Sequence, residues 1–99
     1  MYNQVKWFGR RPTVKTAQTP AAQVAISTST TEILNANDDR ASFLLRNTGS
    51  VTVYFRLAAT ATTNDMPLEP GEVYYNDDHT GIVDGIVASG AGEITLIEN

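Results

Sequence analysis

The chain contains no cysteine in its 99 residues. That excludes disulfide staples, thiolate zinc sites and a thiol nucleophile, and it suits a reducing compartment or a particle assembled in one. There is a single histidine, His79, so a histidine-based relay would have only one base to draw on. No apolar run approaches the roughly 20 residues needed to span a bilayer, and no contact with a membrane is expected. The basic residues near the start are not followed by an uninterrupted apolar core or a small-residue cleavage site, so neither a secretory signal nor a transit peptide is expected. Also missing are a G-x-S-x-G elbow and a glycine-rich phosphate loop ending in Lys-Ser/Thr. These absences argue against an enzyme, and no cofactor or metal is expected.

Helical periodicity is likewise absent, and what takes its place is short runs of β-branched and aromatic residues punctuated by turn chemistry. In the clearest pair, Ala41 to Arg46 and Val51 to Leu57, the residues Ala41, Phe43, Leu45, Val51, Val53, Phe55 and Leu57 alternate with Ser42, Arg46, Thr52 and Arg56. Asn47-Thr48-Gly49-Ser50 lies between them, with Asn to open a turn and Gly for a positive φ, and the pair reads as a hairpin. Further strands are expected at Gln23–Ser27, Glu32–Leu34, Asp65–Leu68, Val73–Tyr75, Ile82–Ala88 and Glu93–Ile97. Glu69-Pro70-Gly71-Glu72 supplies a Pro-Gly turn. Ser89-Gly90-Ala91-Gly92 closes a second, terminal hairpin. Ala58 to Thr63, AATATT, has too few bulky groups to pack well and reads as a loop. Short strands at this spacing indicate a small antiparallel β-sandwich, jelly-roll-like, or a small barrel.

Charge divides the chain differently from its strands. Lys6, Arg10, Arg11 and Lys15, with no acid among the first fifteen residues, give that stretch +4 on a chain of net charge −4, leaving −8 for the remaining 84 residues. Residues 1–22 lack periodicity and contain Pro12 and Pro20, so they read as an extended basic N-terminal arm ahead of a β-sandwich body spanning residues 23–99. At about 3.3 Å per residue the arm could reach on the order of 70 Å, well beyond the body. A body of −8 repels phosphates, so nucleic-acid binding is not expected. Trp7 and Phe8 are large and apolar, and beside Arg10 and Arg11 they have the composition of interface anchors, with the arginines suited to partner carboxylates. Folding back to cover an edge of their own sandwich is the plainer reading of the same residues.

Other candidates have plainer explanations. Asn35 to Asp39 and Asn76 to Thr80 are rich in oxygen ligands, but neither has the spacing of a calcium loop and both suit turns between strands. Glu69 and Glu72 flank the Pro-Gly turn and are more simply solvated. Tyr54 alternates against Val53 and Phe55 and is expected on the outer face of its strand, as part of a partner-binding surface. With Tyr74 and Tyr75 it also raises the alternative of a carbohydrate-binding face.

The succession F-L-L-R-N-T-G-S-V-T-V-Y-F, then P-L-E-P-G-E-V-Y-Y, then G-I-V-A-S-G-A-G-E-I-T-L-I-E resembles small virion proteins of tailed bacteriophages, over Ala41 to Glu98. The resemblance is a pattern of turns and implies no catalytic residues. It implies a capsid cement or decoration protein, or alternatively a small tail, baseplate or fibre connector, assembled in the host cytoplasm and resident in the virion. The expected partners are the major capsid protein or another virion protein, and further copies of the chain as a dimer or trimer. A small core without covalent or metal staples also favours oligomers.

Overall fold

A computed structural model describes residues 21–99, which form short strands bounded by turn formers. The elements in chain order are β1 Ala22–Ile26, β2 Thr31–Leu34, β3 Phe43–Asn47, β4 Val53–Arg56, β5 Met66–Leu68, β6 Val73–Asn76, β7 Val83–Ile86 and β8 Gly92–Glu98. They form two four-stranded antiparallel sheets, sheet A in the order β1-β8-β3-β6 and sheet B in the order β2-β7-β4-β5. The expected small β-sandwich is therefore what the chain forms, and the strand order is that of a jelly roll.

The core lies between the sheets and is built mainly from the inward half of each alternation, with Ile33 and Leu34 both buried where the β2 register breaks. Sheet A contributes Ile26, Phe43, Leu45, Ile94 and Leu96, and sheet B contributes Ile33, Leu34, Val53, Phe55, Leu68 and Val83, with Val87 just past β7. Tyr74 reaches across the gap, its ring centroid 4.7 Å from that of Phe55 and 6.1 Å from that of Phe43. Such tilted aromatic contacts add to the area they bury. Ala41 departs from the expected inward set. It precedes β3, is exposed, and its N–H donates to the Asn99 carbonyl at 2.7 Å.

Neither expected hairpin forms. β3 pairs with β6 and β8, while β4 pairs with β5 and β7, so Asn47–Ser50 carries the chain from one sheet to the other. Ser89–Gly92 does the same between β7 in sheet B and β8 in sheet A. Alternation records which side of a strand is buried, and that record is identical whether the next strand lies beside it or across the core. Gly49 also differs from expectation. Positive φ is found at Gly71 and Gly90, whereas at Gly49 a Cβ would meet the Glu93 backbone nitrogen at 2.9 Å. The glycine there permits two backbones to approach. The Pro-Gly corner behaves as its sequence implies, with Gly71 at φ 87° and the Glu72 N–H closing onto the Glu69 carbonyl at 2.9 Å.

The buried Asn47 shapes the corner after β3. Its Nδ2 donates to the Val51 carbonyl at 2.8 Å and the Leu68 carbonyl at 2.7 Å, and its Oδ1 accepts from the Gly49 N–H at 3.0 Å. One side chain thereby ties the end of β3 to the segment leading into β4 and to the end of β5, linking the two sheets. AATATT is a loop, but contrary to expectation it packs. Ala61 is buried, and its N–H donates at 3.0 Å to Thr30 Oγ1, which in turn donates to Asp84 Oδ2 at 3.1 Å. Small side chains let the loop lie close against sheet B.

Candidate interaction surfaces

Of the residues expected to bind a partner, Trp7, Phe8, Arg10 and Arg11 lie outside the described residues. Tyr54 lies within them, on the outer face of sheet B as its alternation implies. It is half-buried, opposite Ile86 of β7 and Pro67 of β5. Its ring borders a shallow groove whose walls include Thr52, Glu69 and Pro70.

The three tyrosines point in three directions. Tyr54 faces outward from sheet B, Tyr74 faces into the core, and Tyr75 faces outward from sheet A in register with Leu44. A flat sugar-stacking platform needs coplanar rings on one face, so the carbohydrate-binding alternative loses the arrangement that prompted it. Tyr75 is instead one end of an apolar row, Tyr75–Leu44–Ile97, that crosses three strands of sheet A. Val73 lies two residues before it on the same edge strand. At 52% and 59% exposure, Val73 and Tyr75 exceed Met66, at 46%, the remaining large exposed apolar side chain among the described residues.

The two oxygen-rich clusters serve turns. Asn76 Oδ1 accepts from the Asp78 and His79 N–H groups at 2.9 and 2.8 Å, and Asn37 Oδ1 accepts from the Asp39 N–H at 3.0 Å. No group of three or more histidine, aspartate or glutamate side chains placed to share a metal ion occurs among the described residues. Glu69 and Glu72 are exposed but also bonded. Thr52 Oγ1 donates to Glu69 Oε1, and the Glu69 N–H donates to Glu72 Oε1, each at 2.7 Å. The expectation of simple solvation is corrected to a role in fixing the Pro-Gly corner.

Arg40 is a residue whose role the sequence does not reveal. It sits in the run Asp38-Asp39-Arg40, as a surface charge would, yet its side chain is fully buried. Nε donates to Glu98 Oε2 at 2.8 Å, Nη1 donates to the His79 and Gly81 carbonyls at 3.0 and 3.1 Å, and Nη2 donates to the Asn35 carbonyl. Its guanidinium carbon lies 5.3 Å from the centre of the Phe43 ring. Four donated bonds from one arginine thus gather the 35–40 loop, the 76–82 loop and β8 at one end of the sandwich. This is scaffolding for that end of the molecule.

On sheet B, the outward row opposite Glu32 and Arg56 centres on Asp84, which Thr30 and the 57–65 loop enclose. Arg56 Nε donates to Asp65 Oδ1 at 3.1 Å, and Asp65 Oδ2 accepts from the Thr62 N–H at 2.7 Å. The Thr62 N–H, with Arg56 behind it, holds the Asp65 carboxyl below its ordinary value of 3.8. Sheet B therefore presents a charged row and a packed loop beside its own apolar row Pro67–Tyr54–Ile86, and sheet A presents Tyr75–Leu44–Ile97.

No family model, curated protein or solved structure matches this chain.

Proposed function

We propose that the chain is a structural protein of a bacteriophage particle, a cement protein that binds major capsid protein subunits and reinforces the head. It acts without catalysis and as a homo-oligomer. The observation that carries this reading is the opposition of charge along the chain: a +4 segment bearing Trp7 and Phe8 precedes a remainder of −8. A segment of that composition is suited to crossing onto a neighbouring subunit, with Trp7 and Phe8 entering an apolar groove and Arg10 and Arg11 meeting carboxylates at its rim. The β-sandwich supplies a rigid body from which it reaches. Contacts spanning subunit boundaries stabilise the assembled shell by mass action, because they exist only in the assembled state.

The test is occupancy of purified heads that lack the protein, measured against concentration at two salt levels. Truncating a tryptophan anchor at an interface costs on the order of 2 kcal/mol, about a 30-fold loss of affinity. Trp7→Ala should weaken binding by that factor at both salt levels, and Lys15→Ala should change mainly the salt dependence. Parent-like binding by Trp7→Ala and by an Arg10→Ala, Arg11→Ala double variant would remove the basis of the proposal. Binding to tails in place of heads would favour the connector role.

A further inference from the structure

We infer that a second copy of this chain joins through β6, pairing edge to edge so that sheet A of one copy continues into sheet A of the other. The four sheet edges are not equivalent. Of those in sheet B, β5 carries Pro67, which has no N–H to offer, and β2 has a break in register between Glu32 and Leu34. Proline and bulges are the usual means of blunting an edge. In sheet A, β1 presents Ala22, Gln23 and Ala25, which give a cross-strand partner little to pack on. β6 keeps unbroken register with β3 from Val73 to Asn76, has neither proline nor charge, and carries the two most exposed large apolar side chains.

The backbone of β6 is in phase for pairing. The Asn47 N–H donates to the Glu72 carbonyl at 3.1 Å, which fixes that pair as hydrogen-bonded. Bonded pairs recur at every second residue of an antiparallel ladder, so Tyr74 and Asn76 direct their N–H and C=O groups to β3. Val73 and Tyr75 direct theirs off the free edge. The groups available for a new ladder thus belong to the two residues with the most exposed apolar side chains.

The self-complementary spacing of Val73 and Tyr75 selects a second copy as the occupant, and charge selects the register. Copies bearing −8 outside their first fifteen residues repel one another, so self-association favours an uncharged contact, and Val73–Asn76 is uncharged. Acids flank it, with Glu72 on one side and Asp77 and Asp78 on the other. Pairing Val73 with the second copy's Tyr75 lets both residues exchange their free backbone bonds. It also makes a β-branched–aromatic pair and sets Glu72 against Asn76 and Asp77 against Gly71. Pairing Tyr75 with itself would instead oppose Glu72 to Asp78, and pairing Val73 with itself would oppose Glu69 to Asp77. Only the Val73–Tyr75 register avoids facing acids.

This inference rests on the homo-oligomer part of the proposed function and is independent of the particle. Because the chain has no cysteine, the register can be read by cross-linking. Residues in a bonded pair have Cα atoms about 5.5 Å apart, within disulfide range. Full-length Val73→Cys and Tyr75→Cys mixed under mild oxidation should give a disulfide-linked dimer at several times the yield of either variant alone. Full-length Tyr75→Pro, which removes an outward N–H, should keep a cooperative β-type circular dichroism melt and sediment as a monomer where the parent is dimeric. The inference is overturned if the mixture cross-links no better than the single variants, or if folded Tyr75→Pro associates like the parent. Dissociation by Trp7→Ala but not by Tyr75→Pro would assign the junction to residues 1–20. A parent that stays monomeric in solution yet still binds heads would refute the β6 junction and leave the head-binding proposal standing.

Discussion

Replacing Asn47 by alanine tests whether one buried side chain holds the two sheets in their jelly-roll connection. The substitution removes two donated bonds, to Val51 and Leu68, and one accepted bond, from Gly49. A typical intramolecular hydrogen bond contributes about 1 kcal/mol, and a buried group left without a partner costs about 1–3 kcal/mol. The Leu68 bond is buried and the other two are partly so. Stranding one buried carbonyl and weakening the rim gives a loss of about 4 kcal/mol. For a domain of this size that is a large share of total stability and lowers Tm by about 20 °C. Urea unfolding followed by circular dichroism should show a reduced midpoint with an unchanged slope. A second variant separates lost bonds from lost volume. Asn47→Asp keeps the shape and the acceptor for Gly49 but turns an oxygen toward two carbonyls. Near neutrality it should be less stable than Asn47→Ala, and it should recover as pH falls, because folding there raises the carboxyl above its unfolded value of about 3.9. Stability of both variants within 1 kcal/mol of the parent would refute the reasoning.

Arg40→Met, which keeps much of the buried volume and removes all the donors, should cost about 3 kcal/mol in chemical denaturation, because it strands three carbonyls and breaks a pair with a fully buried arginine. A cost below 1 kcal/mol would show that water replaces the clamp. Gly92→Ala should cost about 1–3 kcal/mol by overpacking, since a Cβ there meets Val87 Cγ1 at 2.7 Å and Val53 Cγ2 at 3.1 Å, both on stiff β-branched side chains. An unchanged thermal midpoint would mean that the core yields more easily than its packing implies. Asp65 has its carboxyl lowered, chiefly by the Thr62 N–H, so its stabilising contribution is present above its ordinary value of 3.8 and is lost as pH falls through the lower folded value. Stability of Asp65→Asn should therefore fall less than the parent's between pH 5 and 2, and parallel profiles would exclude a role for this carboxylate.

The eight strands were legible because alternation and turn residues are local properties, and the observed limits agree with the expected ones to within a few residues. Strand partnership was not legible. Phe43 and Leu45 point inward whether β4 lies beside β3 or across the core, and Asn47 opens a turn in either case. The burial of Arg40 and Asn47 is not legible for a related reason: residues typical of surfaces and turns are identical in sequence when a fold buries them with their bonds satisfied. The run Asp38-Asp39-Arg40 looks like a solvated loop, and only the return of β8 beside β3 supplies the carboxylate that makes it a clamp. Tyr54 was placed on the correct face by simple alternation, which carries no information about the direction of Tyr74 and Tyr75 relative to it.

The position of β8 governs the order in which the molecule can form. It is the last of the described strands and lies inside sheet A between β1 and β3, with Ala22 in register with Leu96 and Leu45 in register with the same residue. Of the described strands β1 is the first to be synthesised, and its only partner among them is the last. Until then β1 has no partner in sheet A and β3 is paired on the β6 side alone. Folding therefore waits for residues 92–98 and proceeds through distant pairings, which places it in the millisecond-to-second range of β-sandwiches.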